Sequence, residues 1–249
     1  MNAEHSSAIV QSLTRPYRVT IPMVILIALV PFYIFIPELA PAVKRYVPEL
    51  ALDRAFPLVP AWALVYGALY AFLILLPIFV VRQEDHIRRT VYSYLFIWIT
   101  AYLFFVLFPT VAPRPRSVDG EGFAAWGLRL LYSSDPPYNC FPSLHVAHSF
   151  VSALTCSRVH RRVGIVAVIC AAVVALSTLY TKQHYVADVL AGVVMACIAY
   201  LIFLRGYSRE RVPLVDHRVA PALALCVAGV VSVGVAGYWL LYCCGAASR

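Results

Sequence analysis

Residues 163–204 read VGIVAVICAAVVALSTLYTKQHYVADVLAGVVMACIAYLIFL, and this stretch indicates how the whole chain folds. It contains two apolar runs, each of about 20 residues, which is the length that a helix needs to cross ~30 Å of hydrocarbon. Between them lies a short polar segment, Thr181-Lys182-Gln183-His184, where the chain turns back. The stretch therefore predicts a helical hairpin in a membrane, with ionisable groups at its tip.

The composition extends this interpretation to the whole chain. Of 249 residues, 62% are hydrophobic and only 13% are charged, and the mean hydropathy is +0.79. A soluble domain carries about 25% charged residues, so the composition excludes a soluble single-domain enzyme, a disordered segment and a coiled coil. The net charge of +8 is attributed to cytoplasmic loops of a membrane protein, and no nucleic-acid partner is expected.

The hydropathy pattern predicts an all-α, polytopic membrane helical bundle. Seven apolar segments are predicted spans, and the longest loop, 109–142, is rich in proline, glycine and polar residues. The spans are 20–37, 57–81, 91–108, 143–157, 163–181, 185–204 and 219–242. The chain is divided into a cytoplasmic N-terminal segment (1–19), a six-span domain (20–204), and a cytoplasmic loop with a seventh helix (205–249).

The distribution of arginine and lysine predicts the orientation of the bundle. With a cytoplasmic N-terminus, twelve of the twenty basic residues lie on the cytoplasmic side. The short loops at 82–89, 158–162 and 205–218 hold ten of them, against the single Lys182 in the short loop on the other side. The positive-inside rule therefore predicts a cytoplasmic N-terminus and an external 109–142 loop.

The seven cysteines form no disulfide framework and no zinc-binding spacing. Cys156, Cys170, Cys197 and Cys226 lie inside apolar runs, where we expect small buried hydrophobic side chains. Cys140 lies in the long loop.

Ionisable residues cluster in three places that the predicted topology brings to one membrane face. The clusters are Phe108-Pro109-Thr110-Val111-Ala112-Pro113-Arg114-Pro115-Arg116, Asn139-Cys140-Phe141-Pro142-Ser143-Leu144-His145-Val146-Ala147-His148, and Ser177-Thr178-Leu179-Tyr180-Thr181-Lys182-Gln183-His184-Tyr185-Val186-Ala187-Asp188. Ionisable residues at such positions are expensive in a membrane protein and are usually functional.

These residue types suit phosphoryl transfer through a phosphohistidine. His184 and Asp188 are four residues apart, so they share a helix face, and a carboxylate beside an imidazole fixes its tautomer. His145 is a second titratable imidazole, and Arg114 offers a planar cation suited to phosphate oxygens. One imidazole can attack, the other can protonate the leaving oxygen, and arginine can stabilise the charge. The set calls for no metal and no cofactor.

The motifs resemble those of the type 2 phosphatidic acid phosphatase superfamily over about residues 90–205. Pro142-Ser143-Leu144-His145 is similar to its second signature motif, His184 with Asp188 to its third, and Arg114-Pro115 to the end of its first. The amino-acid sequences of the motifs are most similar to those in the branch of inositolphosphorylceramide synthase and its bacterial relatives. The resemblance implies a six-helix core, to which the segment 219–242 adds one C-terminal transmembrane helix.

The resemblance also implies the function of single residues. His184 would be the nucleophile, Asp188 would orient it, and His145 would be the general acid and then the general base. Arg114 would bind phosphate, and Ser143 would contribute its hydroxyl or amide at a helix N-terminus. Leu107 and Thr178 stand where the superfamily usually has a lysine and an arginine. Arg116 and Lys182 are the candidates to complete the phosphate site.

The sequence thus predicts an integral membrane enzyme that acts on a lipid phosphate at the outer face of the membrane. A lipid phosphatase is favoured. The alternatives are a lipid phosphotransferase with an alcohol as acceptor, similar to inositolphosphorylceramide or sphingomyelin synthases, and a non-enzymatic transporter. The sequence leaves open which lipid is the substrate, and it leaves the oligomeric state open as well.

Overall fold

The structure, a computed structural model, describes residues 21–29, 33 and 45–247. Within these residues the chain forms eight α-helices and no β-strand, which confirms the predicted all-α class. The helices are α1 (Ile21–Leu29), α2 (Trp62–Val80), α3 (Glu84–Leu107), α4 (Phe123–Ser134), α5 (Leu144–Val159), α6 (Arg161–Tyr180), α7 (Val186–Ala199, continued by a π-helical turn at Tyr200–Leu204) and α8 (Leu214–Ala247). Short 3-10 turns lie at Ala51–Ala55 and Arg209–Arg211.

Five of the described helices are long and apolar enough to cross a membrane: α2, α3, α6, α7 with its π turn, and α8. The chain is therefore a multi-pass membrane protein. The fourth predicted span corresponds to α5, which has 16 residues. Of the first predicted span, 20–37, the structure describes Ile21–Leu29, which form α1, and Tyr33. The predicted segment 1–19 lies outside them entirely.

Two helices begin earlier than the hydropathy pattern predicts. α3 begins at Glu84, although the predicted span began at residue 91, and α8 begins at Leu214 rather than 219. The first turn of α3 is charged, and its Asp85 carboxylate accepts hydrogen bonds from Arg88 and Arg89 on the same helix. Acidic residues stabilise a helix N-terminus, but they lower the local hydropathy, so the span appeared shorter than the helix.

α5 lies at the centre of the bundle, packed against α2, α3, α6 and α7. Small and β-branched side chains such as Ala147, Val151 and Ala153 are completely buried on it. The turn into α6 is tight, because a Cβ added at Gly164 would lie 2.4 Å from the Cα of Ser157. Small residues allow membrane helices to approach closely. This is how α5 can pack against four neighbouring helices.

The long loop contains a helix that the sequence analysis did not predict. α4 is 12 residues long, too short to cross a bilayer, and it buries Ala125 and Leu128. It packs against α2, where a Cβ added at Gly127 would lie 3.1 Å from the Leu64 side chain. The prolines and glycines on both sides of this amphipathic segment made the whole loop appear irregular.

The expectation for the cysteines is wrong at two positions. Cys156 is buried and Cys170 is half-buried, but Cys197 on α7 and Cys226 on α8 are exposed. Hydropathy cannot separate these cases, because a surface that faces lipid is as apolar as the core of the bundle.

Candidate active site

The three ionisable clusters of the sequence meet at one end of the bundle. The first follows the C-terminal end of α3, the second enters α5, and the third joins α6 to α7. The Thr110 hydroxyl accepts the backbone N–H groups of Cys140 and Phe141, at 2.9 and 3.0 Å. The Ser143 N–H donates to the Asp188 carbonyl at 3.1 Å. These bonds tie each cluster to the next.

A close approach of α5 and α7 brings the second and third clusters together. A Cβ added at Gly192 would lie 2.6 Å from the Ser143 carbonyl oxygen and 3.2 Å from the Cβ of Val146. Only glycine permits this distance between the helices. The N-terminal ends of both helices therefore lie side by side.

The two histidines and the aspartate form a continuous line. The Nδ1 atom of His184 is 3.3 Å from the Oδ2 atom of Asp188, and its Nε2 atom is 3.2 Å from the Nδ1 atom of His145. Asp188 is completely buried, and its Oδ2 atom also accepts the N–H of Tyr185 at 2.9 Å. The carboxylate thus holds one nitrogen of His184, and the other nitrogen faces His145.

Aromatic rings surround His145. The edges of Tyr33, Tyr66 and Tyr70 face its ring, with centroid distances of 6.2, 5.6 and 5.1 Å. The three rings therefore restrict the orientation of the imidazole and give it a largely aromatic surrounding.

Arg114 is bonded to Gln183, the residue before His184, and is held from several sides. Its Nη1 atom donates to the Asp135 carbonyl at 2.5 Å, and its Nη2 atom lies 3.3 Å from the Asp135 carboxylate. Nη2 also donates to the Gln183 side chain, and the guanidinium lies 4.6 Å from the centre of the Tyr132 ring. The planar cation is thus oriented within the protein before any ligand binds.

The remaining predicted site residues differ in how they are placed. Ser143 is completely buried, its hydroxyl accepts the Val146 N–H at 3.3 Å as the N-cap of α5, and its N–H is bonded to Asp188. A contact of Ser143 with phosphate would require one of these bonds to exchange. Lys182 lines a cavity of about 200 Å³ together with His184. Arg116 is exposed, and the structure does not bring it into the cluster.

Two residues of the site were not found by the sequence analysis. Asp135 connects Arg114 to the Tyr33 hydroxyl, which donates to its Oδ1 atom at 2.9 Å, and buried Gln183 accepts from Arg114. Gln183 stands beside His184 in the third cluster, so its position was a usable signal. Asp135 lies after α4 and just before the second cluster, but no motif includes it and nothing in the sequence links it to Arg114.

One set of side chains in the described part of the chain has the geometry of a metal site. The Cys140 thiol, a ring nitrogen of His184 and a carboxylate oxygen of Asp188 lie within 4.8 Å of one another. Burial, and then the nearby Asp188, raise the pKa of the Cys140 thiol well above its ordinary value. Protons therefore compete strongly for this sulfur, and an ion here would occupy the histidine that the sequence predicts to be the nucleophile.

Comparison with known proteins identifies the family of the chain. The family profile of the PAP2 superfamily matches residues 47–202, and the chain belongs to that superfamily. It is therefore a membrane protein of a phosphatase-type enzyme superfamily. The match covers α2 to α7 and all three clusters, whereas α8 lies outside it.

One relative supports this assignment. The chain is 30% identical over 120 residues to a PA-phosphatase related-family protein of Dictyostelium discoideum, covering 41% of this chain and 22% of the relative. The chain thus spans only about a fifth of that relative's length. Among solved structures, none matches significantly.

Proposed function

We propose that this protein is a lipid phosphate phosphatase that works through a phosphohistidine on His184. The observation that supports the proposal most is the line of Asp188, His184 and His145. A carboxylate at Nδ1 raises the electron density of the imidazole and directs the lone pair of Nε2 outward. Nε2 is the nitrogen that faces the second histidine, and Arg114 is bonded to Gln183, the residue before His184.

The reaction proceeds in two displacements. In the first, His184 Nε2 attacks the phosphorus, the bond between phosphorus and the lipid oxygen breaks, and protonated His145 donates its proton to that oxygen. In the second, His145 removes a proton from water, the water oxygen attacks the phosphorus, and the bond to His184 breaks to release inorganic phosphate. Arg114 stabilises the charge on the phosphoryl oxygens in both transition states. The 3.2 Å contact between the histidines must open when the phosphoryl group enters.

Features of the sequence support one further candidate, a lipid phosphotransferase. Leu107 and Thr178 stand in place of the usual lysine and arginine, as in the synthase-like branch that the motifs resemble. In that case an alcohol replaces water in the second displacement, and the first displacement is unchanged. Substrate class, acceptor and an active site on the outer face of the membrane are all parts of this proposal.

The test is purified protein in detergent with a panel of lipid phosphates, each assayed alone and with candidate alcohols such as inositol. Release of inorganic phosphate alone supports the phosphatase, and a product that carries the phosphate on the alcohol supports the transferase. Trapping of phosphate on the protein should be lost in His184→Ala. His217→Ala is the control, since His217 is exposed at the other end of the bundle. Turnover without any trapped phosphoenzyme in rapid-quench experiments would contradict the mechanism.

A further inference from the structure

A long apolar groove runs along the outside of the bundle between α2, α4 and α8. Its volume is about 460 Å³, which lies within the ~300–1,000 Å³ range of ligand pockets. None of the described residues that line it is charged. The lining on α2 runs from Ala63 to Leu75, a length of about 18 Å at 1.5 Å per residue. This is close to half of the ~30 Å hydrocarbon thickness of a bilayer, the depth of one leaflet.

Glycines keep the groove open on two of its walls. Gly67 on α2 and Gly234 on α8 both line it, and a Cβ added at either position would meet nothing within 4 Å. Larger side chains at these positions would fill the groove rather than the protein core. The open volume of the groove therefore depends on glycine at these two positions.

One wall residue of the groove also contacts the candidate active site. Tyr66 lines the groove, and the edge of its ring faces His145 with a centroid distance of 5.6 Å. Ser134 lies on the rim and precedes Asp135, whose carboxylate is paired with Arg114. A molecule in the groove is thus one side chain, Tyr66, away from His145, and one residue away from the carboxylate that holds Arg114.

Aromatic side chains stand at the side of the groove formed by α4 and α8. Phe123 and Trp126 line it, and they pack against the C-terminal part of α8, where the Phe123 and Trp239 ring centroids are 5.0 Å apart. Aromatic rings of this kind concentrate at the boundary between hydrocarbon and head groups. The polar end of a lipid would therefore lie at the level of the site, and its chain would extend into the bilayer depth along α2.

We propose that one hydrocarbon chain of the phosphate-bearing substrate lies in this groove, with α8 as its outer wall, an inference that rests on the function proposed above. A chain gains little by moving from lipid to an equally apolar groove. Its contribution is to position the phosphate at His184. A second groove, of about 370 Å³ between α1, α2 and α3, reaches His148 instead of His145. We therefore assign the chain to the groove whose wall residue Tyr66 contacts His145.

The kinetic test compares Gly234→Leu with Gly229→Leu on hexadecyl phosphate and butyl phosphate in mixed micelles. Gly229 is on the same helix, is exposed, does not line the groove, and has the same free space around its Cβ. Gly234→Leu should lower kcat/KM for hexadecyl phosphate by about tenfold or more, the effect of reshaping a hydrophobic pocket. Butyl phosphate should be hydrolysed as by the unmodified protein, and Gly229→Leu should change neither rate. Gly67→Leu should reproduce the result from the opposite wall.

A second measurement needs no substitution. An alkyl phosphate with a diazirine at the end of a hexadecyl chain should label the middle of α8, around Val230 and Val231, on irradiation. Labelling confined to α1 and α3, or equal losses of activity for both chain lengths in Gly234→Leu and Gly67→Leu, would overturn the inference. No change for either substrate in both groove variants would overturn it as well, since the groove would then hold only bilayer lipid. If the unmodified protein labels in the groove but hydrolyses no lipid phosphate, the proposed function fails and the groove assignment stands.

Discussion

At the scale of single residues, the site separates the two histidines by their surroundings. His184 is buried and bonded to the carboxylate of Asp188, whereas His145 is enclosed by tyrosine rings and touches no carboxylate in the described hydrogen bonds. The first environment suits a nucleophile, and the second suits a group that transfers a proton. This difference gives the first prediction, and the contacts of Arg114 give the second.

The first prediction concerns the leaving group. His184→Ala should abolish phosphoenzyme formation with any substrate. His145→Ala should lose most of the ~10²–10⁴-fold contribution of general acid catalysis with an alkyl phosphate. With p-nitrophenyl phosphate it should retain more, because nitrophenolate leaves without a proton. Single-turnover trapping with both substrates is the measurement. If His184→Ala still traps phosphate and His145→Ala does not, the two functions are exchanged.

The second prediction concerns the arginine. Arg114→Lys keeps the positive charge but loses the fork that contacts Asp135 and Gln183. A hydrogen bond to a charged group is worth about 1.5–3 kcal/mol, so we expect kcat/KM to fall by about tenfold or more. Arg116→Lys is the matched control, two residues away and exposed, and should be neutral. Equal effects of both substitutions would show that only bulk charge matters.

At the scale of helices, the site depends on how closely α5 and α7 approach. Gly192 lies under the Ser143 carbonyl, and the Ser143 N–H is bonded to the Asp188 carbonyl. A displacement of α7 would therefore move Asp188 and His184 together, away from His145. The catalytic line is thus sensitive to a position that carries no chemistry itself.

The third prediction follows from this contact. Gly192→Ala places a Cβ 2.6 Å from the Ser143 oxygen, and overpacking of this kind costs about 1–3 kcal/mol. We expect a lower Tm and a large loss of activity. Gly229→Ala, on an exposed face of α8, should be neutral or stabilise the protein by about 0.5–1 kcal/mol. Thermal unfolding in detergent together with phosphate release measures both effects, and wild-type values for Gly192→Ala would contradict the packing argument.

At the scale of the whole molecule, the helices bring all three clusters to one end of the bundle. The loop with α4 lies at this end, and the turn between α5 and α6 lies at the other. The positive-inside rule predicts that the first end is external. The same orientation would make the outer leaflet the source of substrate.

The fourth prediction tests that orientation. In a variant without its native cysteines, Ser117→Cys should react with a membrane-impermeant maleimide in intact cells. Arg161→Cys, also at an exposed position but at the other end, should react only after permeabilisation. The reverse pattern would place the site on the cytoplasmic face.

The fifth prediction concerns metal. Activity should survive EDTA, since Arg114 and the imidazoles supply the positive charge for the phosphate. Cys140, His184 and Asp188 have the geometry of a metal site, so chelation tests directly whether activity needs an ion there. Complete loss on chelation that one specific metal restores would contradict the phosphohistidine mechanism and assign the donors to an ion.

The sequence by itself determined the all-α membrane class, because a chain with so few charges can satisfy its backbone in lipid only through helices. It also predicted which residues carry the chemistry, since ionisable groups at the ends of apolar helices need a functional reason. Helix starts with charged first turns and the short helix α4 were not predictable, because hydropathy averages over about 20 residues.

Tertiary structure alone decided which side chains meet. Asp135 orients Arg114, although α4 separates the two in the loop 109–142 and no motif contains both. A bond between such positions depends on packing that local pattern does not encode. The exposure of Cys197 and Cys226 and the groove between α2, α4 and α8 were likewise settled only by packing. In a membrane the inner and outer faces of a helix are both apolar, so the sequence specifies the helices, and only their arrangement distinguishes core, lipid-facing surface and groove.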